Sequence, residues 1–487
     1  MSFNSLAFLI FLPVVIFLYY IMPNKLKVPL LLIASYIFYG YYNVLLLPLI
    51  IFTTLLTYFF ALKVTKIKKK GFQKFFLGSV VFIIVGLLIV FKYLDFLYGS
   101  SLAFLNLFGL NIEFKSFDII LPMGISFYTF QVLAYIIDVY KGKVIAEKYV
   151  LNYALFVVFF PQLVAGPIER SSDLIPQLTN PLKLEASNVT MGLKYLAKGF
   201  IKKILIADFL GNYVNLAYSS NDQNGLVYIV GTILFAFQIY CDFSGYTDIG
   251  IGSAKLMGID LHENFNSPYT SQSVKEFYSR WHMTLNTWFK DYIYIPLGGN
   301  KFGIIRTCFN LMIVFLVSGL WHGARWNFVI WGLINGLIIV GETLYHKYVH
   351  REKSSSIIIK GLKILLTFSV VSFTWIFFRS DNLDQAFNII KVIFTSYQGG
   401  VETLFKVLDL NYFRAVLLVI SPLLLVFINK IPQIKFEDES LIVGRGAYLS
   451  KLSLKYVLYM LIIVFIAIGW FYQLSQYGAS GFIYFEF

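Results

Sequence analysis

Long apolar runs separated by short polar loops dominate the sequence. Residues 1–24 and 28–62 carry no charge, and Gly40-Tyr41-Tyr42-Asn43 predicts a turn that divides the second run into two helices. A membrane-spanning helix needs ~20 mostly apolar residues. About twelve such spans are predicted in all, the others lying near residues 75–93, 119–137, 204–220, 226–248, 307–321, 326–345, 364–378, 413–429 and 456–473.

The charge of the loops alternates along the chain. Residues 63–74 contain six lysines and no acid, and residues 430–455 contain five basic and three acidic residues, whereas residues 379–412 contain three basic and four acidic residues. Because cytoplasmic loops of membrane proteins are rich in Lys and Arg, the two basic loops are predicted to be cytoplasmic. The alternation places both chain termini outside the cytoplasm.

Two regions fit this alternation poorly. In residues 150–203 an apolar run is broken by Phe160-Pro161-Gln162, which predicts a re-entrant segment followed by an amphipathic helix on the inner leaflet. Residues 249–306 are semi-polar but aromatic, and they predict interfacial helices.

The predicted amphipathic helix carries a row of four basic residues. We expect this basic surface to recruit an anionic donor or, more simply, to anchor the helix to anionic lipid. Its members are Lys194, Lys198, Lys202 and Lys203.

Composition supports an integral membrane protein. The 487 residues are 58% hydrophobic and only 14% charged, against ~25% charged in soluble domains. The net charge of +14 would suggest a nucleic-acid partner in a soluble protein, but here the cytoplasmic loops explain it. Cys241 and Cys308 both lie in apolar runs, so neither a disulfide framework nor a metal site is predicted.

His322 is the first candidate for catalysis. Counting from Arg306, a helix rises by roughly 23 Å before it reaches His322, and the chain then turns at Gly323. A histidine beside Arg325 at such depth is costly unless it faces a cavity, which makes both residues, with Trp321, functional candidates. Imidazole is a natural general base near neutral pH; a structural histidine bonded to a carbonyl is the alternative.

His282, in the segment Arg280-Trp281-His282, is the second candidate. It could approach His322 only through tertiary folding, and an aromatic-belt histidine is the alternative. Asp242 could orient an imidazole or pair with an intramembrane arginine, and a buried hydrogen bond between helices is the alternative. The other three histidines, His262, His346 and His350, are predicted to be interfacial.

Several segments together resemble the membrane-bound O-acyltransferase (MBOAT) family in its bacterial branch, which includes alginate and peptidoglycan O-acetylation proteins and teichoic acid D-alanyl transferases. The segments that carry the resemblance are Leu121 to Phe127, Phe160 to Ile168, Asp242 to Asp248, Phe277 to Gly299 and Ser318 to Gly323. The end of the chain, from Phe373 to Arg379 and from Phe482 to Phe485, is similar to that of the polysaccharide O-acetylation members.

The resemblance implies an all-α polytopic fold around a central tunnel, in one membrane domain spanning residues 1–487. The catalytic core would cover about residues 119–345 and additional C-terminal helices residues 364–487. His322 would be the catalytic histidine and His282 the second histidine of the site, with Trp321, Arg280, Arg325 and Asp242 in support.

The resemblance also implies the substrates and the cellular setting. The donor would be a cytoplasmic thioester, acetyl-CoA, with no bound cofactor. The acceptor would be a hydroxyl of an extracytoplasmic polymer, reached with an SGNH-type acetyltransferase as partner. The protein would lie in the bacterial cytoplasmic membrane, in contact with lipid.

Two alternatives remain at this point. The first is D-alanyl transfer from a carrier protein toward teichoic acid. The second is a secondary transporter or a polysaccharide channel, although the matched, broken helices in two halves of the chain that are typical of transporters are not found.

Overall fold

The computed structural model describes residues 1–164, 166–180, 185–220, 224–349 and 356–431. Within these ranges the chain is helical and forms no β-strand. The predicted span at residues 456–473, the C-terminal motif and most of the basic loop at residues 430–455 lie outside the described residues.

Twenty-one α-helices follow one another in the described part of the chain. They are α1 (Leu6–Ile21), α2 (Asn24–Gly40), α3 (Leu47–Val64), α4 (Lys70–Leu88), α5 (Leu94–Asn106), α6 (Ile125–Tyr140), α7 (Val150–Val158), α8 (Phe160–Leu163), α9 (Ser171–Thr179), α10 (Ala186–Phe200), α11 (Asp208–Ser219), α12 (Gly225–Lys255), α13 (Val274–Arg280), α14 (Met283–Phe289), α15 (Gly303–His322), α16 (Trp326–Tyr348), α17 (Ile357–Arg379), α18 (Leu383–Thr395), α19 (Gly400–Val407), α20 (Tyr412–Leu423) and α21 (Leu425–Ile428). Short 3₁₀ turns occupy Val44–Leu46 and Pro268–Thr270, and π-helical turns occupy Ile89–Tyr93, Ile201–Ala207 and Lys290–Tyr294.

Six of these helical segments in the described residues are long and apolar enough to cross a membrane, or seven if the bent pair Gly400–Val407 and Tyr412–Ile428 counts as one span. The six are Val44–Val64, Lys70–Asn106, Gly225–Lys255, Gly303–His322, Trp326–Tyr348 and Ile357–Arg379. Helices α1 and α6 are apolar but shorter. The predicted polytopic all-α class is confirmed, but the count of about twelve spans is not.

The predicted hairpin around Gly323 is present as α15 and α16. Their backbones approach so closely that a Cβ on Gly319 would lie 2.2 Å from the Phe328 carbonyl oxygen, and a Cβ on Gly332 would lie 2.5 Å from the Phe315 carbonyl oxygen. Small residues allow such approach between membrane helices. The close packing of the hairpin therefore fixes the position of His322, the last residue of α15, in the interior.

Helix α10 packs along α12, and the lysines of α10 and of the π-helical turn that follows it are buried. The exposed basic surface predicted on this helix is wrong, because aspartates on α11 and α12 take up most of the charge. Lys198 and Lys202 each bind Asp248 at 2.9 Å, and Lys203 binds both Asp208 and Asp242. Lys194 is buried as well.

Two clusters of buried apolar side chains form the interior. One joins α1–α4 and α6–α10 with the second half of α12 and with α14, and it reaches Trp321. The other joins α11, the first half of α12, α13 and α16–α18. His282 lies between Trp281 of the second cluster and Leu285 of the first, and His322 follows Trp321, so both histidines lie where the clusters meet.

Candidate active site

The C-terminal end of α15 places His322 in a closely packed aromatic environment. The residue is 5% exposed. Its ring makes edge contacts with Trp321, Trp331 and Phe378 at centroid distances of 5.0, 5.1 and 5.1 Å. These neighbours come from α15, α16 and α17, so three helices fix the orientation of the imidazole.

His282 occupies the junction between α13 and α14 in a left-handed backbone conformation, with φ of 45°. This conformation is uncommon for residues other than glycine and persists only where the surroundings impose it. The Asn286 side chain donates hydrogen bonds to the carbonyls of Tyr278 and Trp281, and the Met283 amide donates to the Asn264 carbonyl at 2.9 Å. These contacts hold the turn and the buried imidazole it carries.

Trp321 connects the two histidines. Its ring lies 5.6 Å from the His282 ring and 5.0 Å from the His322 ring, measured between centroids. Phe127 of α6 contacts both Trp321 and His282. Residues that are far apart in the sequence therefore converge on one aromatic layer.

The ring nitrogens of His282 have no hydrogen-bond partner among the described residues, although the residue is only 1% exposed. A buried polar group without a partner is costly, and such groups are often completed by a substrate. Asp242 makes no hydrogen bond to this ring, and its carboxylate binds Lys203. The role of Asp242 in orienting an imidazole therefore stays a prediction.

One cavity adjoins His322, and a second cavity neighbours the first. The smaller, about 40 Å³, is lined by His322, Trp321, Phe127, Gly124 and Lys92. The larger, about 200 Å³, shares Lys92 with it and extends to Arg325 and Asp95. Arg325 is exposed, so it marks the open end of the larger cavity.

A third cavity, about 130 Å³, lies against α10 and α12. Lys198, Lys202, Asp248 and Phe265 line it. The Phe265 ring lies 5.1 Å from the Phe243 ring, which in turn lies 4.7 Å from His282. A layer of two aromatic rings therefore separates this lysine cavity from the histidines.

Sequence reasoning missed Lys92 and Tyr93. Both donate hydrogen bonds to backbone carbonyls at the end of α15. The available signal was a lone lysine within the apolar run at residues 75–93, since a charge within a span is a functional candidate by default.

The remaining predicted residues lie away from the two histidines. The Arg280 guanidinium donates to Glu276 at 2.6 Å and to Thr270 at 3.1 Å. His346 is exposed on the last turn of α16, and His350 lies outside the described residues. The ring of His262, which was predicted only to be interfacial, also pairs with the buried carboxylate of Glu169 at 2.7 Å.

Comparison with known proteins identifies the family. The model of the membrane-bound O-acyltransferase family (MBOAT) matches residues 148–379. The "Probable alginate O-acetylase AlgI" of Azotobacter vinelandii is 37% identical over 432 residues, which cover 88% of this chain and 84% of that protein. The chain belongs to the membrane-bound O-acyltransferase family.

Other members of the membrane-bound O-acyltransferase family are also similar. The peptidoglycan O-acetyltransferase of Helicobacter pylori is 36% identical, over 80% of this chain and 79% of its own. The teichoic acid D-alanyltransferase of Bacillus subtilis is 28% identical, over 53% of this chain and 68% of its own. The family and the O-acyltransferase class predicted from the sequence segments are confirmed, and a secondary transporter does not fit this membership.

Proposed function

We propose that this O-acyltransferase moves an acetyl group from acetyl-CoA on the cytoplasmic side to a hydroxyl on the way to an extracytoplasmic polysaccharide or cell-wall polymer. The observation that carries the proposal is the convergence of His282 and His322 on Trp321, with a cavity open at His322. In an acyltransferase, a buried imidazole beside a cavity is suited to activating a hydroxyl.

His322 acts as the general base in this proposal. It takes the proton of the acceptor hydroxyl while the hydroxyl oxygen attacks the thioester carbonyl. The carbon–sulfur bond then breaks, and the imidazolium returns the proton to the thiolate that leaves. The products are an ester and a free thiol, so no cofactor is consumed. His282, whose ring nitrogens lack a partner in the described residues, orients the hydroxyl or stabilises the developing charge.

The cavities suggest where each substrate enters. The lysine cavity offers Lys198 and Lys202 to an anionic part of the donor, although their charge is partly balanced by Asp248. The cavities that contain Lys92 and Arg325 would admit the acceptor. In this arrangement the protein lies in the bacterial cytoplasmic membrane, and an SGNH-type acetyltransferase outside it completes the transfer.

D-alanyl transfer toward teichoic acid is the second candidate. It is supported by the relative of that name in Bacillus subtilis, but the match covers 53% of this chain, against 88% for the alginate O-acetylase. The broader match favours the acetyl group.

The decisive experiment replaces His322 with Ala. Membranes that contain the variant are incubated with radiolabelled acetyl-CoA, and ester formation on surface glycans is measured. Because loss of a general base costs ~10²–10⁴-fold in rate, His322→Ala should nearly abolish transfer. His346→Ala is the matched control, since this histidine is exposed on α16, and it should remain close to wild type.

Two further measurements complete this test. Thermal unfolding in detergent should show that His322→Ala is folded. A folded His322→Ala protein with near wild-type transfer would exclude the mechanism. Label from a D-alanyl carrier protein, but none from acetyl-CoA, would instead establish the second candidate.

A further inference from the structure

The last four carbonyl groups of an α-helix have no partner within the helix, and in α15 they lie beside His322. The Gly323 amide reaches the Gly319 oxygen at 3.4 Å. The Tyr93 hydroxyl donates to the Leu320 oxygen at 2.6 Å. The Lys92 ammonium donates to the Trp321 oxygen at 2.7 Å and to the His322 oxygen at 3.3 Å. Two consecutive residues of another segment thus satisfy three of the four carbonyls.

These two residues end a π-helical turn, Ile89–Tyr93, between α4 and α5. Single π-turns within α-helices are rare and occur frequently at functional sites. Here the turn directs Lys92 and Tyr93 together toward the end of α15.

The environment of Lys92 differs from that of other interior lysines. Lys198, Lys202 and Lys203 pair with aspartates, whereas the described residues provide Lys92 with two carbonyls and the Ser126 hydroxyl at 3.3 Å. A cation at a helix C-terminus is also favoured by the helix dipole. Lys92 lines the cavity at His322 and also the larger cavity next to it, so its charge faces the place where substrate would bind.

We propose that Lys92 is a positioning residue of the active site, whose ammonium fixes the His322 end of α15 in the geometry that acyl transfer requires. The proposal rests on the function proposed above, because it assigns Lys92 an effect that passes through His322. Tyr93 holds the preceding carbonyl and has a lesser role, since Leu320 is farther along the helix from the imidazole.

The test compares Lys92→Met, Lys92→Arg and Tyr93→Phe in the acetyl-transfer assay. Misplacement of a catalytic group by about 1 Å can cost ~100-fold in rate. Lys92→Met should therefore lower kcat by about 10–100-fold with little change in the KM for acetyl-CoA. Lys92→Arg keeps the charge and the donors and should recover most of kcat. Lys74→Met is the matched control, because Lys74 is an exposed lysine of α4, and it should behave as wild type.

A double-mutant cycle separates positioning from general stability. If Lys92 acts through His322, Lys92→Met should reduce the residual rate of His322→Ala by less than twofold, because residues that act as a unit are not additive. An equal loss in both backgrounds, or a failure of Lys92→Arg to recover kcat, would overturn the proposal. Full activity of Lys92→Met beside an inactive His322→Ala would reject only the role of Lys92. Full activity of His322→Ala would reject the proposed function itself.

Discussion

At the scale of single residues, the backbone of His282 is as informative as its side chain. A residue other than glycine that adopts the left-handed conformation lowers the stability of the folded state by roughly 1–2 kcal/mol. Asparagine tolerates this conformation better than most residues. The identity of His282 as a candidate was visible in the sequence. Its conformation was not, because it depends on Asn264 and Asn286, which hold the turn from both sides.

Substitutions of His282 can distinguish the role of the imidazole in acyl transfer from the effect of the left-handed backbone on stability. His282→Asn and His282→Ala should both lose most acetyl transfer, since each removes the imidazole. His282→Asn should unfold at nearly the wild-type temperature, whereas His282→Ala should unfold at a lower one. The measurements are transfer of radiolabelled acetyl groups and thermal unfolding in detergent. Wild-type activity in either variant would remove His282 from the proposed site.

His262 provides a pH-dependent contact on the surface. Its Nδ1 lies 2.7 Å from a Glu169 carboxylate oxygen, and this hydrogen bond raises the pKa of His262 above the usual value of about 6.5 for histidine. Because the folded protein holds the proton more tightly, the ion pair contributes its full stability below about pH 6.5 and loses it as the pH rises through the raised pKa.

The corresponding prediction concerns unfolding temperatures between about pH 6 and pH 9. Wild type should exceed His262→Gln by the largest margin at the acidic end of this range, and the margin should shrink toward the alkaline end. The Gln variant keeps the backbone bond from residue 262 to Glu169, so it isolates the ring. A margin that grows with pH would contradict the assignment.

At the scale of helices, close approach in the α15–α16 hairpin decides where His322 lies. Gly332 is in contact with α15, whereas a Cβ on Gly341 of the same helix would have no neighbour within 4 Å. Gly332→Ala should therefore separate the two helices and lower both the unfolding temperature and the transfer rate. Gly341→Ala should be neutral or slightly stabilising, because Ala exceeds Gly in helix propensity by ~1 kcal/mol. Equal behaviour of the two variants would show that the approach is not required.

The helices illustrate what sequence can and cannot predict. The hairpin around Gly323 was predictable from two charge-free runs with one short polar break. The inward direction of the lysines on α10 and on the π-helical turn after it was not predictable. Their partners, Asp208, Asp242 and Asp248, belong to helices that only tertiary packing brings near. A basic helix with distant carboxylate partners has the same local pattern as one that lies on a membrane surface.

At the scale of the whole molecule, hydropathy was sufficient to predict the class of fold, and motifs in the expected order were sufficient to predict the family. The cavities were beyond sequence reasoning, because they are gaps between helices from different parts of the chain. Lys92 on one helix pair, His322 on another and Arg325 beyond the turn meet only in three dimensions.

The structure also relates the two ends of the helical bundle. Lys27, at the start of α2, lies over the Tyr20 ring, and the Tyr20 hydroxyl bonds the Leu256 carbonyl just after α12. The opposite end of α12 begins at Gly225, whose amide donates to the Ser396 carbonyl at 2.7 Å. Because α2 and α3 form a hairpin, the loop after α3 lies at the same end as Lys27, and residues near 400 lie at the other end.

This geometry sharpens a prediction of topology. The loop that contains Lys68 is basic and should face the cytoplasm, so Glu402, beyond α12 at the other end, should face outward. A membrane-impermeant maleimide applied to intact cells should label Glu402→Cys and leave Lys68→Cys unlabelled until the membrane is permeabilised. The parent protein is the control for background from Cys241, which is buried, and Cys308, which is partly buried. The reverse pattern would invert the protein in the membrane. It would place the lysine cavity, which Asp248 and Ile251 in the C-terminal half of α12 line, on the side where no cytoplasmic thioester is present.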